Sequence, residues 1–236
     1  MIMDTDPKLP RRIRLQQWLF ARAAAVPFLP HYPSYALTIG REPRFVWFQV
    51  AKVATRSALN HFETHGVAFD VRQGYDLYFS PRLYRPHFKF SFVRNPWDRL
   101  VSCWQNKIID NRKAHIFGST QESLDSFTGF VDHVAGQDLS SCNIHIRLQC
   151  VQMDLNHLDF LGRFERFADD FRLVCGKLGL PGELERRLNA SSRRPDYRTY
   201  YTPELAARVG ALYRRDIDLF GYAFDPDPLA KADVNP

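Results

Sequence analysis

Short apolar runs alternate with helical patterns along the middle of the chain. Three apolar runs predict strands, and each is followed by apolar residues at helical spacing: strands at 44–50, 87–94 and 158–165, and helices at 56–65, 97–110 and 167–178. Connections of this kind place parallel strands side by side and pack the helices on the sheet. The pattern therefore predicts an α/β protein with a central parallel sheet flanked by helices.

The pattern is weaker outside these three units. Further elements are a short strand and four helices, predicted at 35–39, 12–25, 143–153, 183–188 and 203–219. Residues 66–86 lack periodicity and are predicted to wrap the surface, and 110–142 to form an insertion of loops and helices. We expect a single domain over 1–236, with a lead-in at 1–43, a core at 44–222 and a polar tail at 223–236.

The first strand-to-helix turn carries residues suited to an anion. It reads "KVATRS" (52–57), in which Lys52 can neutralise a phosphate or sulfate oxygen. The amides of 53–57, including that of Val53, together with the hydroxyls of Thr55 and Ser57 would surround the rest of the anion at the helix N-terminus. Small Ala54 lets the backbone approach closely. The turn lacks the glycines of the familiar nucleotide-binding loops.

The second turn, in "FVRNPWDRLVS" (92–102), also begins with a basic residue. Arg94 offers a planar fork of donors to a phosphate, and Ser102 could add a hydroxyl two helical turns further on. Parallel strands bring both turns to one edge of the sheet, which favours a ligand with two anionic groups. Taken singly, each residue has a simpler reading, because Lys52 could be solvated and Arg94 could pair with Asp98 or Asp110.

The formal charge of +6 in 236 residues indicates affinity for anions without choosing among them. Four cysteines lack paired short spacings, so we expect free thiols in a reducing compartment, with Cys142 and Cys150 as the one near pair. Residues 11–25 predict an amphipathic helix packed on the domain, with peripheral membrane contact as the alternative. We expect the chain in the cytoplasm.

Together these motifs resemble the sulfotransferases that use 3′-phosphoadenosine 5′-phosphosulfate (PAPS). The resemblance is to the carbohydrate branch, sulfotransferase family 2, with the chondroitin, dermatan and HNK-1 sulfotransferases and the heparan 2-O-sulfotransferases. "KVATRS" resembles the loop for the 5′-phosphosulfate, and "FVRNPWDRLVSCWQNK" (92–107) the motif for the 3′-phosphate. Segments 160–180 and 197–222 resemble later blocks of the family. The resemblance implies a three-layer fold like that of the P-loop kinases, no metal, and adenosine 3′,5′-bisphosphate as product.

The resemblance also implies roles for individual residues. Lys52 would contact the bridging oxygen of the phosphosulfate; the 5′-phosphate would lie against Val53, Ala54, Thr55, Arg56 and Ser57, the 3′-phosphate against Arg94 and Ser102, and a closing loop would contribute Ser191, Ser192 and Arg193. The chain departs from the family at Arg56, where relatives have an uncharged polar residue, and at Asn95, where an acidic residue is more common. Arg99 is expected to be structural and to pair with a carboxylate.

The general base and the acceptor remain open at the level of sequence. His145 is the first choice because "NIHIRLQ" resembles a substrate-side block of the family; the alternatives are His87, His61 and Glu63. The implied acceptor is a hydroxyl of a glycan or glycolipid. Two other functions compete with this one. A phosphotransferase would need a glycine-rich loop and a carboxylate pair for magnesium, and a binder of nucleic acid or anionic membrane would gather its basic residues on one face.

Overall fold

The computed structural model describes residues 9–24, 26, 32–183 and 196–225. The strands are β1 (Ser34–Glu42), β2 (Phe45–Phe48), β3 (Ala68–Tyr78), β4 (Phe88–Val93) and β5 (Phe160–Arg163). The α-helices are α1 (Arg11–Ala24), α2 (Thr55–Thr64), α3 (Pro96–Trp104), α4 (Gln121–Leu124), α5 (Phe127–Ala135), α6 (Phe167–Leu178), α7 (Pro203–Leu212) and α8 (Arg214–Phe220).

The strands form one five-stranded sheet in the order β3-β1-β2-β4-β5. β2, β4 and β5 run parallel, and helices α2, α3 and α6 follow them along the chain. This confirms the predicted α/β fold with a parallel sheet flanked by helices. The sheet is nevertheless mixed, because β1 pairs antiparallel with both β2 and β3.

Aromatic side chains form the core between the sheet and two of its helices. Trp47 of β2 stacks on Phe90 of β4 with ring centroids 5.6 Å apart, and Phe92 lies on the same face. Phe62 of α2 and Phe171 of α6 cover that face and contact each other at 5.4 Å. Burial of such large rings holds both helices against the parallel strands. The four cysteines are all free thiols.

The prediction that 66–86 wraps the surface is wrong for its first half, which forms the edge strand β3. Its buried residues Val71, Gly74 and Leu77 recur every third position rather than every second. The register with β1 shifts repeatedly, and each shift changes the residue that faces the core. A strand with this many irregularities shows no alternation in its sequence, so the pattern gave no sign of it.

The helix predicted at 143–153 is also absent, and turns occupy this segment. Side chains accept hydrogen bonds from backbone N–H groups that would donate to backbone carbonyls in a helix. The Asn143 side chain accepts from His145 N, and the buried carboxylate of Asp216 accepts from Gln149 N at 2.7 Å and Cys150 N at 2.9 Å. Because backbone donors satisfied in this way need no helix, the turns are stable despite a helical apolar pattern.

Two predicted helices are less regular than expected. The helix after Pro96 is α-helical only to Trp104 and continues as a π-helix over Gln105–Asp110. The helix predicted at 203–219 is divided into α7 and α8 at Tyr213, whose hydroxyl donates to Ile146 O at 2.6 Å. Most of the helix predicted at 183–188 lies outside the described residues.

Arg99 of α3 joins the first turn to the irregular segment. Its buried guanidinium donates to the carbonyls of Ala51 at 3.1 Å, Arg147 at 2.9 Å and Ile144 at 3.1 Å. The prediction of a structural role holds, but the partners are three carbonyl oxygens and not a carboxylate. Irregular backbone leaves carbonyl groups without partners, and a fork of fixed geometry can satisfy several of them at once.

We expect Arg99→Met to lower the free energy of unfolding by about 3 kcal/mol, because it leaves three carbonyl groups without their donor. Urea denaturation followed by circular dichroism measures this change. The matched control is Arg208→Met, which removes an exposed ion pair with Asp132 and should cost less than about 1 kcal/mol. Equal losses in the two variants would contradict the role assigned to Arg99.

Candidate active site

A cavity of about 1050 Å³ lies at the ends of β2, β4 and β5, where the chain leaves the sheet. It brings together most of the predicted site residues: Lys52, Ala54, Thr55, Arg56, Ser57, Arg94, Ser102 and His145. Val53 is fully buried in the core beside it. The predicted closing-loop residues, Ser191, Ser192 and Arg193, lie outside the described residues.

The turn after β2 adopts a glycine-like backbone without containing glycine. Lys52 has φ of 75° and Ala54 has φ of 65°, both in the left-handed region. Such residues cost free energy, and they cluster at active sites and ligand-binding sites. Ala54 caps α2 without a side-chain hydrogen bond. Ser57 N donates to Ala54 O at 3.0 Å, and the helix start at Thr55 and Arg56 is where a ligand could accept from backbone amides. Left-handed residues just before a helix N-terminus turn successive amides toward a common point, which suits an anion.

The Lys52 ammonium lies in the cavity and is largely removed from water. Its Nζ donates to Asn106 Oδ1 at 3.0 Å. Burial lowers the pKa of Lys52 to about 8, and the charges of Arg94 and Lys107 act in the same direction. A poorly solvated cation among other cations gains much from the arrival of an anion, so this position favours a negatively charged ligand.

Arg94 is buried at the end of β4 and holds the two turns together. Its guanidinium makes an ion pair with Asp98 at 2.7 Å, donates to Lys52 O at 2.9 Å and lies over the Phe164 ring at 3.9 Å. The simpler reading of Arg94, a pair with Asp98, is therefore confirmed. These contacts use three of the five N–H groups of a guanidinium, and within the described part of the chain two remain for a ligand.

His145 reaches the same cavity from the irregular segment. Asn143 Oδ1 accepts from both the backbone N and Nδ1 of His145, while Asn143 Nδ2 donates to Ile116 O. Because Oδ1 can only accept, Nδ1 carries the proton and Nε2 is left as the basic nitrogen. Burial lowers the pKa of His145 to about 3, so the ring is neutral near pH 7.

The other candidates for a general base lie away from the cavity. His61 Nε2 contacts Pro181 O at 2.7 Å, His87 packs against Tyr84, and Glu63 forms an exposed ion pair with Arg72. Of the four candidates, only His145 lines the cavity.

Several residues of the cavity were not predicted. The cavity presents six basic and four acidic side chains: Lys52, Arg56, Arg94, Lys107, Lys113 and Arg166, and Asp98, Asp110, Glu165 and Asp169. Lys107 and Asn106 lie on the π-helix, and Gln73 and Tyr75 on the strand that the pattern did not reveal. The spacing of basic residues in "QNKIIDNRK" (105–113) was the feature of the sequence that could have pointed to Lys107 and Asn106.

Polar groups behind the cavity fix its walls. The Gln149 side chain binds both backbone groups of Arg94, accepting from N at 2.9 Å and donating to O at 2.8 Å. The Asn95 side chain caps α3 by accepting from Trp97 N, and the backbone N–H of Asn95 donates to the Glu165 carboxylate. Among the residues that the structure describes, no cluster of three or more His, Cys, Asp or Glu side chains could hold a metal ion.

An α/β fold with a cationic cavity at the carboxyl edge of its parallel strands is typical of proteins that bind phosphorylated ligands. The model of the sulfotransferase family matches residues 35–223. The chain therefore belongs to the sulfotransferase family.

Two known proteins are similar to the chain. Carbohydrate sulfotransferase 14 from Danio rerio is 28% identical over 138 residues, covering 50% of this chain and 35% of that protein. The chain thus spans about a third of the length of this relative. The crystal structure of a sulfotransferase from Alicyclobacillus acidocaldarius is 20% identical over 60% of each chain. The TM-score between the two structures is 0.24.

We expect the reactivity of Lys52 toward acetic anhydride to rise with a midpoint near pH 8, because burial lowers the pKa of this ammonium. Competitive labelling followed by mass spectrometry of the peptides measures the midpoint, with exposed Lys177 as the internal reference. A midpoint at the ordinary lysine value of about 10.4 would show that the ammonium is well solvated.

Proposed function

We propose that this protein transfers the sulfuryl group of PAPS to a hydroxyl of a carbohydrate or glycolipid. The bond between sulfur and the bridging phosphate oxygen breaks as the acceptor oxygen bonds to sulfur. Adenosine 3′,5′-bisphosphate leaves, and the acceptor proton passes to the protein. The observation that carries the proposal is that the Lys52 turn and Arg94 face one cationic cavity in a chain of the sulfotransferase family.

The turn after β2 is suited to the phosphosulfate end of the donor. The left-handed backbone at Lys52 and Ala54 and the uncapped start of α2 supply amides, and Thr55 and Ser57 line the same wall. The Lys52 ammonium would stabilise the charge that develops on the leaving oxygen. The ammonium donates a hydrogen bond to Asn106 in the free protein, so it would exchange Asn106 for PAPS when PAPS binds.

Arg94 and Ser102 are suited to the 3′-phosphate of the donor. Both line the cavity on the side of α3, and Arg94 lies within hydrogen-bonding distance of the Lys52 carbonyl. One residue therefore links the two predicted phosphate positions. Binding at both positions would allow the protein to distinguish PAPS from a plain adenylate, which lacks the 3′-phosphate.

His145 is suited to accept the acceptor proton through Nε2. A pKa of about 3 makes it a weak base in the free protein, since burial and the positive charges of Lys107 and Lys52 all disfavour its protonation. A bound donor brings several negative charges into the same cavity and would raise the pKa toward neutrality. The base would thus become effective only when the donor is in place.

The proposed acceptor class rests on the carbohydrate named in the similar protein from Danio rerio and on the cavity walls. Lys107 and Lys113 line the cavity together with the neutral Gln73 and Tyr75. Amide and phenol groups can hydrogen-bond sugar hydroxyls, and an aromatic ring can pack against a sugar face.

We expect adenosine 3′,5′-bisphosphate to raise the melting temperature of the protein, and Arg94→Ala to remove most of that increase. Differential scanning fluorimetry measures the shift, with ATP plus magnesium and a DNA duplex as competing ligands. Arg208→Ala, which alters a distant exposed pair, is the matched control. Stabilisation by ATP with magnesium but not by the bisphosphate would favour a phosphotransferase and overturn the proposal.

We expect Lys52→Ala to lower the transfer rate at least about 10²–10³-fold, because it removes the cation from the leaving oxygen. Transfer of radiolabelled sulfate from PAPS to a panel of unsulfated polysaccharides measures this rate. His145→Ala should lower kcat about 10²–10⁴-fold while leaving bisphosphate binding nearly unchanged. Exposed His157→Ala is the control. An unchanged rate in either site variant would remove that residue from the mechanism.

A further inference from the structure

The outward side of α1 combines apolar and basic residues. Ile13 and Gln17 face inward, and the Gln17 side chain binds both backbone groups of Tyr78: Oε1 accepts from its N and Nε2 donates to its O. The residues on the opposite side are exposed: Arg11, Leu15 (60%), Trp18 (43%), Leu19 (51%) and Arg22. Three large apolar side chains close together on one helix face are unusual for a surface that meets only water.

The charge of this face has one sign. No residue of 11–24 is acidic, and the sequence "RRIRLQQWLFARAA" contains four arginines. Arg12 pairs with Asp70 of β3, and its side chain remains 60% exposed. The guanidinium of Arg22 lies over the Trp18 ring at 5.0 Å, so a basic group and an aromatic ring share one surface position.

The turn at 80–87, beside α1, also exposes apolar and basic residues. Gln16 of α1 donates to the hydroxyl of Tyr84 at 3.1 Å, which fixes the turn against the helix. On either side of buried Tyr84 the turn exposes Arg82, Leu83 (49%) and Arg85. The segment "SPRLYRPH" (80–87) also contains no acidic residue.

We propose that these two elements form a surface that docks on an anionic lipid bilayer. We call it the α1 surface, defined by Arg11, Leu15, Trp18, Leu19, Arg22, Arg82, Leu83 and Arg85. An interfacial helix needs apolar side chains that enter the acyl boundary and arginines that reach the headgroup phosphates. The α1 surface provides both, and no described helix is long and apolar enough to cross the bilayer instead.

Charge argues against a second copy of this chain as the partner. A symmetric dimer through the α1 surface would place its arginines against those of the second copy, and α1 and the turn at 80–87 contribute no carboxylate to offset them. A bilayer with acidic headgroups supplies the missing negative charge and at the same time receives the leucines and Trp18.

Docking would place the cavity beside the membrane. α1 packs along β3, where Arg12 pairs with Asp70 near the start of the strand and Gln17 binds Tyr78 at the end of the strand. Gln73 and Tyr75 of β3 line the cavity. The wall formed by β3 would then lie close to acceptors carried by lipids. The proposal does not depend on the chemistry of the cavity, so it can fail or hold separately from the proposed function.

The experiment is co-sedimentation of the full chain with vesicles of phosphatidylcholine, with or without phosphatidylglycerol. We expect binding to the anionic vesicles that weakens with salt. Trp18→Ser with Leu19→Ser should abolish it, and Arg11→Gln with Arg22→Gln should weaken it about 25-fold, since each arginine contributes about fivefold. Matched controls change exposed residues elsewhere: Leu173→Ser with Leu219→Ser, and Arg214→Gln with Arg215→Gln.

Absence of binding by the unaltered chain would overturn the proposal, as would equal binding to neutral vesicles or equal losses in the control variants. Sedimentation velocity without lipid provides a further test. If the unaltered chain is a dimer that dissociates in the Trp18 and Leu19 variant, the α1 surface is a contact between copies and not a membrane surface. Circular dichroism of every variant identifies any loss of fold.

Discussion

The guanidinium of Arg99 is the contact on which the architecture of the site depends. It binds carbonyls from the turn after β2 and from the irregular segment that carries His145. These two pieces of chain are about ninety residues apart in sequence and have no strand or helix in common. One buried cation satisfies both, so the relative position of Lys52 and His145 is set by a residue that does not line the cavity.

Other buried polar groups support this arrangement from behind. Gln149 holds the backbone of Arg94, and Asp216 holds the amides of Gln149 and Cys150. Each contact replaces a hydrogen bond that regular secondary structure would have made. The cavity can therefore be lined by irregular backbone, whose amides and side chains are free to point at a ligand, while these buried side chains satisfy the backbone groups behind it.

The sequence was most informative where the backbone is regular. Buried parallel strands and amphipathic helices have characteristic periods, so β2, β4, α2 and α6 lie close to their predicted bounds. β3 was missed because its register shifts break the period, and the turns at 143–153 were misread because side-chain hydrogen bonds there outweigh an apolar pattern typical of a helix. Most of the predicted site residues line one cavity, because the Lys52 turn and Arg94 lie where strands end. The partners of Arg99 depend on long-range contacts that no local pattern contains.

The π-helix at Gln105–Asp110 has a consequence for how this site can change during evolution. A π-turn accommodates one residue more than an α-helical turn does, so it behaves like an insertion within the helix. Because the extra residue is contained within this turn, deleting one residue there would restore regular α-helix up to Asp110 and change the directions of the side chains inside the turn. The turn that brings Asn106 to Lys52 also determines whether Lys107 and Asp110 face the cavity. The length of this short segment therefore determines which of its side chains reach Lys52 and the cavity.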